Sequence, residues 1–239
     1  KPLEPQERSA GVGPCRRPAP LAHFGHVLAV LAHVAPMPLE DAAMALDLHG
    51  DKDLAGLEGD LKLAAQRLAF GAAGSKGLGG SAKFIFRDGG LRAKYVLAAQ
   101  GIASPYAAMA RFKGSGTVRA RDGLARYEWQ GDWEGQDVAL GDGLSTALAG
   151  LGESAEGSFL APMARQMRIA LLREGKGSSF TASTILRNTD GTPSFVLPQG
   201  TLRGGSGAAL LTLSRVQALL GGGNGPRLAG DFSTRGEGL

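Results

Sequence analysis

Ser145 is the first of the few side chains that could perform chemistry. The segment Gly143-Leu-Ser-Thr-Ala147 resembles the nucleophile elbow of serine hydrolases, in which a serine lies between two glycines on a sharp turn. The second glycine is missing, and all four histidines precede residue 50, so the order serine, acid, histidine fails. Ser145 fits an ordinary position near a helix start. We therefore predict no catalytic residue and no enzyme activity.

Five polar side chains partly match the ligand spacing of a calcium-binding loop. Its members occupy offsets 1, 3, 5, 7 and 12 of such a loop, in the order Asp47, His49, Asp51, Asp53 and Glu58. The glycine that the loop requires at offset 6 is Lys52, and no helices are predicted to flank it. The pattern is better interpreted as the solvated face of a strand followed by a polar turn.

The histidines and the single cysteine give no metal site. His23 and His26 form a His-x-x-His pair, but with His33 and His49 they lack a third ligand at a fixed spacing. Cys15 stands alone, which excludes an intramolecular disulfide and a cysteine-based zinc site. We predict no bound metal.

Glycine is the unusual feature of the composition. The 239 residues include 38 glycines, whereas aromatic residues make up only 6%. The glycine-rich stretches 71–80 and 221–225 do not match the phosphate-binding motif, so they are predicted to be loops and no cofactor is predicted. Glycine without a collagen period indicates turns, bulges and flat sheet surfaces.

The charge of the chain is modest and diffuse. The formal net charge is +4, and no run of Lys or Arg is longer than two residues. Nucleic-acid-binding proteins concentrate basic residues on one face, often among aromatic ones. We predict no nucleic-acid partner. Hydrophobic residues at 43% and charged residues at 20% allow the chain to bury a core.

From Ala45 onward the apolar residues recur with the two-residue period of half-buried strands. Tight turns are predicted at Asp88-Gly-Gly90 and, with two residues, at Asp122-Gly123. The predicted strands cover 45–51, 57–70 with a bulge near Gln66, 82–87, 91–100, 116–137 on both sides of its turn, 179–186, 195–197, 209–219 and 227–234.

The period changes to about 3.6 residues between Leu160 and Glu174, which predicts a helix with Pro162 near its start and Gly175 as its stop. The stretch 143–151 has room for one or two further helical turns. Strands return after Gly175. The predicted fold class is therefore mainly β, an antiparallel sheet with one short helical insertion.

Alternation also divides the hairpin strands between two faces. The side predicted to meet water carries Arg92, Lys94, Arg126, Glu128 and Asp132. The apolar side carries Leu91, Ala93, Tyr95, Leu97, Tyr127, Trp129 and Trp133. Two interpretations of its aromatic part stay open: it packs on the helix 160–174, which composition alone favours, or it lines a groove for an apolar ligand.

The chain divides into a short first part and a long β-rich part. Residues 1–20 have no period and contain several prolines, and the apolar run from His23 to Ala35 is too short to distinguish a helix from a strand. Residues 1–40 are therefore predicted to be a linker or a poorly defined end. Residues 41–239 form the predicted β-rich segment. Because the chain opens without a signal-peptide pattern and stops after a strand-like run, we expect it to be a piece of a longer protein.

Three motifs resemble the YdbH branch of the AsmA-like, or bridge-like lipid transfer, proteins. The first is the hairpin sequence Gly-Ser-Gly-Thr-Val-Arg-Ala-Arg-Asp-Gly at 114–123. The second is Leu-Ala-Pro-Met-Ala-Arg-Gln-Met at 160–167, a short helix ahead of new strands. The third is Leu-Arg-Gly-Gly-Ser-Gly at 202–207, followed by Gly-Pro-Arg-Leu-Ala-Gly-Asp-Phe at 225–232. The resemblance covers residues from about 45 to the end.

The resemblance implies an elongated, curved, trough-like sheet in the periplasm, anchored in the bacterial inner membrane by a segment outside this chain. It implies transport of phospholipid between the inner and outer membranes of the cell envelope. The apolar side described above would then be the lipid-facing groove. The family offers no catalytic residue, metal or cofactor. The alternative is a non-catalytic periplasmic β-scaffold that binds a protein partner through its edge strands.

Overall fold

An open antiparallel sheet contains all fourteen strands that the structure describes, which confirms the prediction of a mainly β fold. The structure is a computed structural model, and it describes residues 39–40, 43–50, 56–122, 125–150, 155–219 and 227–236. These residues all belong to the unit Ala35–Leu239. The predicted linker lies outside the described residues except for Leu39–Glu40, which pairs with the sheet.

Sixteen strands and helices follow one another along the described residues. The strands before the helices are β1 (Leu39–Glu40), β2 (Ala43–Gly50), β3 (Gly56–Ala65), β4 (Arg67–Phe70), β5 (Ala73–Ser75), β6 (Gly77–Arg87), β7 (Gly90–Ala103), β8 (Ala107–Arg121), β9 (Arg126–Gln136) and β10 (Ala139–Leu140). The remaining elements are the helices α1 (Asp142–Gly150) and α2 (Ala155–Glu174) and the strands β11 (Ser179–Asn188), β12 (Ser194–Arg203), β13 (Leu210–Leu219) and β14 (Arg227–Arg235).

The long strands follow one another across the sheet in chain order. Their order is β2, β3, β6, β7, β8, β9, β11, β12, β13 and β14, and every pair is antiparallel. The short strands β1, β4 and β5 branch from the end of β7, and β10 pairs with the start of β8. Most of these antiparallel neighbours are joined by short connections, whereas β9 and β11 are joined through β10 and the two helices.

The turn at Asp88 and Gly89 is the predicted tight hairpin. Both residues have positive φ, 52° and 69°, as a two-residue turn of type I′ requires, and Arg87 pairs with Gly90. Aspartate tolerates this conformation better than most residues with a side chain, and glycine adopts it freely. The sequence Asp-Gly therefore specifies the connection between β6 and β7.

The second predicted two-residue turn is wrong. Arg121 pairs with Arg126, so four residues separate the ends of β8 and β9. The Ala125 N–H donates to the Asp122 carbonyl, and the Asp122 carboxylate lies 3.4 Å from the guanidinium of Arg126. These contacts close a longer loop that the dipeptide Asp-Gly alone does not reveal. Gly123 lies outside the described residues.

The prediction that 71–80 is a loop is also wrong. Residues 73–75 form β5, and β6 begins at Gly77. Only Gly71 in this stretch has positive φ, at 54°. The irregularity near Gln66 lies where it was predicted, but it is a strand break and not a bulge: β3 ends at Ala65, and β4 begins at Arg67 and pairs with β5 and β1. The other glycines of the stretch extend a strand.

Two helices occupy the predicted helical insertion. The shorter, α1, confirms the possible helical turns after Gly143, and α2 ends at the predicted Glu174. Gly175 has a φ of 74° and its N–H donates to the Leu171 carbonyl, as expected for a glycine stop. The predicted start is wrong: α2 begins at Ala155, so Pro162 lies inside the helix.

The helix α2 packs over the far end of the sheet. Its inner side forms a core with α1, β10 and the strands β12 to β14, whose members are Leu140, Leu148, Leu160, Met163, Met167, Ala170, Leu171, Leu202, Ala209, Leu211, Leu213 and Phe232. Met167 is fully buried at the centre of this cluster. The helix therefore covers one region of the sheet's apolar side.

The last residue of α2 holds the loop between β12 and β13. The Glu174 carboxylate accepts hydrogen bonds from the N–H and the hydroxyl of Ser206 and from the N–H of Ala209. The bond from the Ser206 hydroxyl, followed by those from backbone N–H groups, holds the pKa of Glu174 below its ordinary value of 4.5. The charged form of this carboxylate thus ties the helix to the sheet.

We predict that Glu174→Gln lowers the melting temperature at neutral pH. A lowered pKa stabilises the folded protein at every pH above the ordinary value of 4.5, and this contribution is lost as the pH falls from 4.5 through the folded-state pKa. The difference between wild type and variant should therefore shrink below pH 4.5. Thermal unfolding from pH 3 to pH 8, about the range that spans both states of the carboxyl, measures it.

Glu134→Gln is the matched control, because Glu134 is exposed and makes no hydrogen bond or ion pair with the described part of the chain. We expect its melting curve to stay close to that of wild type. A pH-independent difference for Glu174→Gln would contradict the proposed role of its charge.

Candidate functional site

The pairing register aligns apolar residues of neighbouring strands in rows that cross the sheet. One row runs from β2 to β11 and consists of Leu48, Gly59, Phe84, Ala93, Val118, Trp129 and Leu186. Three parallel rows pass through Leu91, Tyr95 and Leu97 of β7, and no residue of the four rows is charged over these strands. We call this side of β2 to β11 the apolar face.

All seven residues of the predicted groove lie on the apolar face. Leu91 and Tyr127 flank Ala120 of β8, and Ala93 and Trp129 flank Val118. Tyr95 lies opposite Gly116, and Leu97 and Trp133 flank Gly114. The sequence showed these residues as two separate alternating patterns. In the structure, β7 and β9 lie on either side of β8, which brings the two patterns together on one face. That these residues contact lipid stays a prediction.

The residues predicted to face water lie on the other side of the same strands, which we call the polar face. Arg92, Lys94 and Arg126 are exposed. Glu128 and Arg187 form an ion pair of 2.8 Å between β9 and β11, and Asp132 accepts a hydrogen bond from the Ser183 hydroxyl. Side chains of successive strand residues point to opposite faces. The same strand register therefore determines which residues lie on the apolar face and which lie on the polar face.

Glycines under large side chains shape the apolar face. The Trp133 ring lies over Gly114 and Gly131, and Tyr95 lies over Gly116 and Gly131. A Cβ at Gly59 would approach Phe84 Cζ to 2.5 Å, and one at Gly135 would meet the Phe180 ring. Because these glycines carry no side chain, the rings lie against the backbone of the neighbouring strand. The rings of the apolar face consequently lie close to the sheet backbone, and the face is continuous.

Five aromatic rings touch one another across β7, β8, β9 and β11. Phe112 stacks on Trp133 with 5.6 Å between ring centroids and contacts Phe180 at 6.4 Å. Tyr95 lies 5.9 Å from Trp129 and 6.2 Å from Trp133, and the two indoles are 6.1 Å apart. Offset and edge contacts of this kind stabilise a pair by about 0.5–1.5 kcal/mol.

The polar atoms of these rings are satisfied within the sheet. The Trp129 indole N–H donates to the Tyr95 hydroxyl, which donates to the Gln130 carbonyl at 3.2 Å. The Trp133 N–H donates to the Thr184 hydroxyl at 2.7 Å. Burial raises the pKa of Tyr95 above its ordinary value of 10.0. The apolar face therefore offers ring surfaces and few hydrogen-bonding groups to a ligand.

The helical core leaves most of the apolar face uncovered. Among the described residues, the cluster around α2 contains no member of β2 to β9. Trp129 is 39% exposed, and Met44 on β2 is 66% exposed. The suggestion that Tyr127, Trp129 and Trp133 pack on the helix 160–174 is thus corrected, because none of them belongs to the core around α2. Trp129 and Trp133 instead contact each other and Tyr95, and Trp133 also lies over Gly114 and Gly131.

Sequence reasoning missed several members of the apolar face. Phe112 of β8 and Phe180 of β11 extend the aromatic cluster, and Phe84 and Phe86 of β6 lie on the apolar face beside Ala93 and Leu91. Phe112 stands two residues before Gly114, in phase with the strand that follows. Extending the two-residue period of β8 toward its start would have identified Phe112 as a member of the apolar face.

The other candidate sites do not assemble. Ser145 lies within α1 and its hydroxyl donates to the Asp142 carbonyl, so it is not on a strand-to-helix elbow. Asp47 and His49 belong to β2, not to a calcium loop, and no group of three or more potential metal ligands occurs among the described residues. His23, His26, His33, Cys15, Asp51, Asp53 and the stretch 221–225 lie outside the described residues.

Neither helix in the described part of the chain is long and apolar enough to cross a membrane. Comparison of the chain with protein-family models, curated proteins and solved structures finds no significant match. The case for a function therefore starts from the two faces of the sheet.

We predict that Gly114→Ala destabilises the protein by about 1–3 kcal/mol, the range of overpacked sites. The new methyl group would collide with the Trp133 ring, which cannot move freely because it stacks on Phe112 and donates to Thr184. Urea unfolding followed by tryptophan fluorescence measures both the loss of stability and the displacement of the indole.

Gly79→Ala is the matched control on β6, since a Cβ there meets nothing within 4 Å. We expect it to leave stability unchanged or to raise it slightly, because alanine restricts the unfolded chain. Equal destabilisation by the two substitutions would show that glycine flexibility, and not ring packing, explains Gly114.

Proposed function

We propose that the sheet binds phospholipid acyl chains on its apolar face and takes part in lipid transport between the inner and outer membranes. The observation that carries the proposal is the uncharged apolar face of β2 to β11, which the helical core leaves uncovered. The family resemblance of the sequence supports the same function. We place the chain in the periplasm, attached to the inner membrane through a segment beyond the described residues.

The energetics of an uncovered apolar face support a ligand. Exposed apolar surface is unfavourable by about 25 cal/mol per Å², and extended patches of it mark binding surfaces. Trp129, Leu46 and Leu48 are each exposed by 39–40%. An acyl chain laid on such a surface gains about 0.8 kcal/mol for each methylene group that it buries. Lipid would therefore supply the second layer that a sheet of this kind otherwise lacks.

The length of the rows also suits acyl chains. Each row crosses the seven strands from β2 to β11, and strands about 4.8 Å apart make it roughly 29 Å long. A bilayer's hydrocarbon core, which contains two layers of chains, is about 30 Å thick. A row is thus longer than one acyl chain, and a chain bound to it has several neighbouring positions without a charged side chain between them.

The hydrogen bonding of the aromatic cluster specifies which part of the lipid it meets. Because Trp129 and Trp133 donate to Tyr95 and Thr184, their ring surfaces are what they offer a ligand. Ring surfaces suit hydrocarbon chains and give no dedicated site for a charged head group. The cluster would hold tails while head groups stay in water at the margin of the sheet.

A non-catalytic scaffold that binds a protein partner is the second candidate function. Every residue of β2 is exposed, and among the described strands β2 pairs only with β3. An edge strand of this kind can accept a further strand from a partner. Native mass spectrometry of the purified protein separates the candidates: co-purified phospholipid supports transport, whereas a stoichiometric protein without lipid supports the scaffold.

We predict that a photo-crosslinking amino acid at Trp129 captures phospholipid in cells, and that one at Glu134 does not. Both positions lie on β9, but Trp129 is on the apolar face and Glu134 is on the polar face. Because the two sites share a strand and are exposed, they differ chiefly in the face that they sample. Mass spectrometry of the crosslinked protein identifies the lipid.

Leu97→Lys provides a second measurement. It puts a charge in the row that contains Trp133 and should abolish lipid capture at Trp129, while circular dichroism reports whether the sheet still forms. Equal lipid labelling from both faces, or from neither, would contradict the proposal.

A further inference from the structure

On the polar face of β6, β7 and β8, two pairs of basic residues lie directly opposite each other. Lys83 of β6 pairs in register with Lys94 of β7, and Arg92 of β7 pairs with Arg119 of β8. Directly opposed side chains in antiparallel strands lie about 5 Å apart at Cβ, and like charges there are destabilising. Lys94 and Arg92 are two residues apart on one strand, about 7 Å. Four cations thus share a small area.

The cations border one open cleft. The cleft has a volume of about 430 Å³, and its walls include all four cations and the hydroxyl-bearing Thr117. Lys94 and Thr117 are register partners, so the hydroxyl lies beside the cationic group. The cleft extends across β2, β3, β6, β7 and β8, and its four cations are exposed, which leaves them accessible to a small solute.

The protein does not neutralise most of this charge. Lys83 pairs with Asp60 at 3.6 Å. Arg92, Lys94 and Arg119 form no ion pair with any described residue.

The nearest acidic side chains either bind another cation or lie one strand away from Arg92. Glu128 stands opposite Arg119 in the register, but its carboxylate binds Arg187 at 2.8 Å. Glu58 is in the same cleft, separated from Arg92 in its row by Ile85, and His49 lines the edge beside it. Counting full charges, four cations face Glu58 and Asp60, which leaves a surplus of positive charge.

We propose that Arg92, Lys94 and Arg119 form a binding site for a phosphate group, with Thr117 as an additional donor. Arginine donates two parallel N–H groups to a phosphate, and lysine adds a compact charge. A tetrahedral anion between the register pairs Arg92–Arg119 and Lys94–Thr117 would replace like-charge repulsion with charge-assisted hydrogen bonds. The area spans three cations, which suits one phosphate group and not an extended polyanion such as nucleic acid.

The site lies on the face opposite the aromatic cluster and does not rest on the proposed lipid transport. The phosphate group could belong to a free anion or to a lipid head group. Inorganic pyrophosphate tests the first source, and vesicles of phosphatidylcholine with phosphatidic acid test the second, with pure phosphatidylcholine vesicles as their reference.

The experiment compares wild type with Arg92→Gln/Arg119→Gln at low ionic strength, by thermal unfolding and calorimetric titration. Pyrophosphate should raise the melting temperature of wild type, and this shift should disappear in the double variant and in high salt. Without ligand, the double variant should melt at or above the wild-type temperature, because the opposed charges are gone. A purely structural role of the arginines would lower it.

Arg165→Gln/Arg173→Gln is the charge-matched control, since both arginines are exposed on α2, which packs on the other side of the sheet. It should bind like wild type. Loss of binding of either probe in the Arg92/Arg119 variant alone supports the site, and the probe that binds identifies the source. Equal binding by wild type and this variant, or binding of neither probe to wild type, overturns the proposal.

Discussion

The packing of large side chains onto glycines is the interaction on which the rest of this sheet depends. A sheet with one apolar side normally buries it under a second layer. Here Trp133, Tyr95 and Phe180 bury part of their own surface against Gly114, Gly116 and Gly135 of neighbouring strands. This arrangement accounts for several glycines within the strands, whereas others such as Gly89 and Gly175 occupy a turn and a helix end. It also makes the apolar face half-buried although the helical core does not extend over it.

The helix α2 shows what full coverage of the same side looks like. Over β12 to β14 its residues Met163, Met167 and Leu171 exclude solvent from Leu211 and Leu213. The row through Leu97 and Trp133 continues through Ala182 and Gly200 to Leu213, so covered and uncovered regions belong to one continuous surface. The uncovered region is therefore the part of a single apolar side over which the helical core does not extend.

The two-residue period predicted most of the sheet, because alternation is a local property that the register preserves. It assigned Tyr127, Trp129 and Trp133 to one face of β9 and Glu128 and Asp132 to the other. The dipeptide Asp88-Gly89 specified the hairpin between β6 and β7. It failed where a distant contact decides the structure. Gly74 and Gly80 extend strands because Ala103 and Leu97 lie beside them across the sheet. The start of α2 and the four-residue loop after Arg121 likewise depend on packing that no local pattern records.

The two faces of β7 carry the two features that the fold leaves uncompensated. Tyr95 and Leu97 belong to the uncovered apolar face, and Arg92 and Lys94 to the cationic cleft. On β9 and β11 of the polar face, by contrast, Glu128 binds Arg187 and Asp132 accepts a hydrogen bond from Ser183. The sheet is thus able to place complementary groups opposite each other. Because β6, β7 and β8 instead oppose like charges, the cleft is best understood as a surface completed by an anion from outside the described chain.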